Sequence, residues 1–144
     1  MPKSTSICNS ILALLLNATP WANIADNAAS SPITNTHMAL HTASLTGASN
    51  QSTSETSYTN YLRVAVPRTT GGWAAPSAGQ SNNVAAIDFA SCGVTGATIT
   101  TASLGKDTSG AGIVFYYGDL NAPIAVSNAI QPRFAIGAVT IQET

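Results

Sequence analysis

Most of the chain reads as short runs in which apolar and polar residues alternate with a period of two. Such a run makes a half-buried strand, because successive side chains point to opposite faces. "THMALHTA" sets Met38, Leu40 and Thr42 against His37, Ala39 and His41, and "YLRVAVPR" sets Leu62, Val64 and Val66 against Tyr61, Arg63 and Ala65. "VAAIDFASCG" and "ATITTASLG" alternate in the same way, and "IVFYYGDL" is apolar enough to read as a strand buried on both faces. "NAPIAVSNAIQ" holds a short strand or connection. In the closing run "RFAIGAVTIQET", Phe134, Ile136, Ala138 and Thr140 lie opposite Ala135, Gly137, Val139 and Ile141, with no charge between Arg133 and Glu143. Read as one strand, it needs cover on both faces.

One stretch has a different period. In residues 4–17, Ile7, Ile11, Leu14 and Leu15 recur at helical spacing, with Leu12 and Leu16 widening the stripe. Ser4 or Ser6 can cap this helix by accepting a first-turn amide, and Pro20 follows its end. Between the strands lie segments rich in Ser, Thr, Asn and Gly. Residues 18–35 read as an irregular connection anchored by Trp21 and Ile24, 44–60 as a long exposed loop, and 68–83 as a second loop. "KDTSGAG" is a turn.

Six to eight short strands with no helices between them predict an all-β, antiparallel β-sandwich, jelly-roll-like, with one N-terminal α-helix. A chain of 144 residues is expected to fold as one domain, residues 1–20 forming the helix and arm and 36–144 the sandwich.

Composition narrows the functional classes. Only 8% of residues are charged, where about 25% is usual, and the net charge is -1. Five scattered basic residues form no footprint for nucleic acid or a membrane surface. The N-terminal run imitates a secretory signal but is read as a mature helix. It is too short to span a bilayer. The sequons at Asn17 and Asn50 carry no weight without a signal. Cys8 and Cys92 match no metal or redox spacing and read as small buried residues.

Catalytic chemistry has little to stand on. The six acids, Asp26, Glu55, Asp88, Asp107, Asp119 and Glu143, form no paired motif. There is no G-x-S-x-G nucleophile elbow. His37 and His41 would share a strand face about 14 Å apart, too far to hold one metal ion. No cofactor is expected, and the chain is not expected to be an enzyme. The polar loops leave a carbohydrate-binding reading open, with Trp21, Trp73, Tyr58 and Tyr61 as stacking residues. The alternative is that these aromatics anchor loops to the core.

The order of motifs resembles small structural proteins of tailed bacteriophages. "MPKS" before a short apolar helix is similar to their N-terminus, "HMALHTA" to a "VALFTA"-like first strand, and "ETSYTNYLRVAV" to a Y-x-R-x-x-V strand after a loop. "VAAIDFASC" resembles an I-x-F-x-x-A strand, and residues 113–141 resemble the closing unit of an aromatic strand, a Pro-containing connection and an F-x-x-G-x-L-x-I strand. The chain departs from that pattern in a longer 18–35 connection and in lacking a "GLFDA" phrase.

The resemblance implies a virion structural protein assembled in the host cytoplasm. Its first reading is a capsid cement or decoration protein on the head exterior, bound to the major capsid protein and to itself as a dimer or trimer. The alternative is a tail or fibre component that contacts the host surface through residues 44–60 and 68–83. Expected contact residues are Lys3, Ser4, Ile7, Glu55 and Tyr58, with Val139 and Ile141 on the closing run.

Overall fold

A computed structural model describes residues 3–21 and 32–144. These residues form an all-β, sandwich-like fold with antiparallel sheets, and the helix among them is a single N-terminal one. The expected anchor Ile24 and the acid Asp26 lie outside the described residues.

The elements are α1 (Thr5–Leu16), β1 (Asn35–His41), β2 (Val64–Pro67), β3 (Gln80–Asn82), β4 (Ile87–Asp88), β5 (Ala97–Gly105), β6 (Val114–Val126), β7 (Arg133–Phe134) and β8 (Thr140–Gln142). They form a four-stranded sheet in the order β2-β1-β5-β6 and the two-stranded pairs β3-β8 and β4-β7. The chain divides into two compact units, one of Met1–Asn35, Pro67–Ile87 and Phe134–Thr144, the other of Thr36–Val66 and Asp88–Arg133.

The first unit is built on α1. Ser4 is its N-cap, with the hydroxyl accepting from the Ile7 amide at 3.3 Å. The buried stripe is Cys8, Leu12 and Leu16, not the Ile7, Ile11, Leu14 and Leu15 stripe that the spacing predicts. These four are half-buried. Almost every position of this helix is apolar or small, so periodicity scarcely distinguishes one rotation from the next. At its other end the Arg68 guanidinium donates to the carbonyls of Leu14, Leu15 and Ile33 at 2.6–2.7 Å. Trp73 is fully buried, and the Asn17 amide group donates to its carbonyl.

The 68–83 segment is not all loop. β3 pairs antiparallel with β8 inside it, Ser81 opposite Ile141. The closing run is not one strand either. Asn83, fully buried, donates from Nδ2 to the Ala85 and Ala135 carbonyls and accepts the Val139 amide on Oδ1. Its backbone bonds both Gly137 and Val139. Gly137 takes φ +75°, the left-handed region a glycine enters without cost. The run therefore turns around Asn83 between β7 and β8, and Ile136 is 69% exposed. The second apolar face is the product of reading a turn as a strand.

The second unit holds the four-stranded sheet. β1 pairs with β5 from His37 opposite Gly105 to His41 opposite Thr101, and every residue of β1 from Thr36 onward is buried. β5 pairs on its other side with β6. The strand read as doubly buried is instead the sheet edge, and most of β6 is exposed or half-exposed. An apolar, nearly uncharged run has the same letters whether a neighbour covers it or not. β6 continues through Pro123, which an edge strand tolerates because its missing N–H serves no ladder there. The register slips by three residues between Ile99 opposite Ile124 and Thr101 opposite Asp119. "VAAIDFASCG" shortens to β4, and "YLRVAVPR" becomes regular only from Val64.

Residues 44–60 form a turn-rich loop whose Leu45, Gln51, Thr56 and Tyr58 are buried. Gln51 is wedged against the β5–β6 hairpin. Its Oε1 accepts the Asp107 amide at 2.8 Å, and its backbone N–H donates to the Gly112 carbonyl. A Cβ on Gly105 or Gly112 would come within 2.3 Å of the Gln51 side chain, so this approach requires glycine at both positions.

Candidate functional site

A cleft of about 470 Å³ opens in the second unit between residues 55–63 and the 108–110 turn. Its framework is Arg63, whose side chain is 2% exposed. Arg63 Nε donates to Glu55 Oε1 and Nη2 to Glu55 Oε2, both at 2.7 Å. Nη1 also donates to the Asp107 carbonyl at 3.0 Å and Nη2 to the Gly110 carbonyl at 2.7 Å. One guanidinium thus joins the two walls, and its planar fork suits the carboxylate. The Glu55 carboxylate raises the Arg63 pKa further.

The aromatic residues extend this network inward. The Tyr61 hydroxyl donates to Glu55 Oε1 at 3.0 Å and accepts the Leu40 amide. Its ring stacks on Phe89, with centroids 6.2 Å apart, and meets Tyr58 edge-on at 5.3 Å. Burial pushes the Tyr61 phenol well above its ordinary value, and pushes Tyr58 up to about 12. The backbone turns tightly here. The Tyr61 amide donates to the Tyr58 carbonyl, Asn60 takes φ +77°, and its side chain donates to the Ser91 carbonyl.

The remaining lining is uncharged. Ser57, Thr108 and Ser109 are exposed and make no side-chain hydrogen bond among the described residues. Leu62 is 73% exposed at the rim. Thr56 also lines the cleft, and its buried hydroxyl has no hydrogen-bond partner among the described residues.

The expected contact residues fall in both units. In the first, Lys3 is exposed and paired with Glu143, Ser4 caps α1, Ile7 and Val139 are half-buried, and Ile141 is buried in β8. In the second, Glu55 is held by Arg63 and Tyr61, and Tyr58 is buried with its hydroxyl on the Ala90 carbonyl. Glu55 and Tyr58 are the two that one site brings together. Arg63, Thr108 and Ser109 were not expected there. The Glu55–Arg63 pairing had a signal, since it joins two of the few charged residues in the chain. The turn residues had none, because only the fold carries the β5–β6 turn to this loop.

The histidines are structural. His37 Nδ1 bonds the Lys106 carbonyl at 3.0 Å. His41 Nδ1 donates to the Thr53 carbonyl at 2.9 Å, leaving Nε2 to accept from the Ser103 hydroxyl at 2.8 Å. A serine on an imidazole has the geometry of an activated nucleophile. Here His41 is fully buried and Ser103 is 1% exposed, so no substrate reaches them. Among the described residues, no group of three or more His, Cys, Asp or Glu side chains is placed to hold a metal ion.

A family model described as Podophage GP4 fiber I protein gp80 matches residues 4–142. No curated protein matches the chain.

Proposed function

The chain belongs to the podophage GP4 fiber I protein gp80 family, and on that premise we propose that this phage virion structural protein is a fibre component that contacts the host surface. The observation that carries the reading is the family description over nearly the whole chain. It favours the fibre over the head-cement expectation, which rested on resemblance alone and is set aside.

The mechanism is contact rather than catalysis. The chain supplies uncharged hydroxyl and amide groups on loops held by buried networks. Hydrogen bonds and apolar contacts of this kind are little affected by salt, whereas exposed ion pairs are screened. Its partners are other fibre subunits, including further copies of itself, because symmetric self-association is the commonest assembly mode.

Quantitative mass spectrometry of purified particles, with immunogold labelling, tests this. The expected result is a copy number matching the fibres and label at the fibre. A copy number matching the capsid lattice restores the cement reading, and absence from the particle removes both.

A further inference from the structure

Resting on the fibre reading, we propose that the cleft between residues 55–63 and 108–110 binds a neutral saccharide. Its volume, about 470 Å³, lies within the range of about 300–1,000 Å³ typical of small-molecule sites.

The charge pattern selects the ligand class. Glu55 and Arg63 are the only ionisable acid and base in the lining, and each neutralises the other through a bidentate pair. A phosphate or carboxylate would have to displace Glu55 from Arg63, leaving a carboxylate without its partner. An ammonium would find Glu55 already occupied. A ligand rich in hydroxyls and without charge meets neither obstacle.

The remaining wall matches such a ligand. The exposed side chains of Ser57, Thr108 and Ser109 can each donate and accept. Leu62 and half-buried Tyr61 supply the apolar surface on which a sugar ring's C–H face can rest. Arg63 holds both walls before anything binds, so little ordering cost falls on the complex.

The test uses the full-length ¹⁵N-labelled chain titrated with maltotriose, cellotriose and N-acetylchitotriose, and with trigalacturonate as the charged counterpart. At least one neutral probe is expected to shift the amides of Ser57, Asn60, Thr108 and Ser109, with a Kd on the order of 1 mM. Ser57→Ala with Thr108→Ala is expected to weaken that binding at least about tenfold with the rest of the spectrum unchanged. The proposal is overturned by no cleft shifts with any neutral probe up to about 10 mM, by tighter binding of trigalacturonate, or by unchanged affinity in a folded double variant. A silent cleft in a chain found at fibre copy number removes this inference alone. A binding cleft in a chain absent from particles removes the fibre reading alone.

Discussion

Replacing Arg68 with Met is expected to destabilise the first unit severely. Arg68 is 6% exposed and faces three carbonyls, those of Leu14, Leu15 and Ile33, at 2.6–2.7 Å. Two of these are among the last carbonyls of α1, which have no partner within the helix and carry the negative end of its dipole. Burial lowers the Arg68 pKa from 12.5, and the group stays charged at neutral pH. Each bond to a charged donor is worth about 1.5–3 kcal/mol. The three share one head group and do not add in full, so the loss is about 3–5 kcal/mol. Met keeps most of the stem packing, which isolates the head group. Both tryptophans, Trp21 and Trp73, belong to the first unit, so tryptophan fluorescence in urea reports on it directly. Arg68→Lys should recover part of the loss, since an ammonium has three donors but no planar fork. Arg133→Met, in the second unit and therefore followed by far-UV circular dichroism in urea, is the control. Arg133 pairs with Asp88 at 3.0 Å with both side chains about half exposed, and its loss should cost under about 0.5 kcal/mol. If Arg68→Met costs less than about 1 kcal/mol at unchanged denaturant slope, the guanidinium is not what completes this helix.

Asn83→Ala removes both ends of the clasp on the closing run. It should cost about 2–4 kcal/mol in urea titration and release hydrogen-exchange protection at Val139. Gly96→Ala places a Cβ 2.0 Å from the Val126 carbonyl, so backbone must move where β5 and β6 begin to pair. A loss of about 1–3 kcal/mol is expected, with faster exchange at Ala97; an unchanged urea midpoint refutes it. Burial lowers the His41 pKa below its ordinary 6.5, so the unfolded chain takes up the proton more readily than the folded one. His41 thus contributes stability in full above about pH 6.5 and loses it as pH falls through the lower folded value. Urea midpoints should drop from about pH 7 to about pH 5, and His41→Gln should flatten that interval.

Fold class was legible in the sequence because period-two runs without intervening helices admit few alternatives. The helix and its Ser4 cap were legible for the same local reason. Three features were not. The rotation of α1 depends on what packs against Cys8, Leu12 and Leu16, and an almost uniformly apolar helix does not encode that choice. The edge position of β6 depends on which strands pair, a property of the whole sheet. The closing run looked like a strand because Asn83, some fifty residues earlier, supplies the hydrogen bonds that turn it. Half of the cleft was visible, since Glu55 and Tyr58 stood out in a sparse loop. Its opposite wall comes from a turn of ordinary composition, and only the pairing of β5 with β6 brings it into place.

Cys8 lies buried in the first unit and Cys92 in the second, and both are free thiols. The architecture therefore contains no bond that forms by oxidation or breaks by reduction. A virion component is made inside a reducing cell and then works outside it, where disulfides persist. This fold crosses that boundary without gaining or losing a disulfide between these two cysteines, and glutathione and air should leave its melting temperature equally untouched.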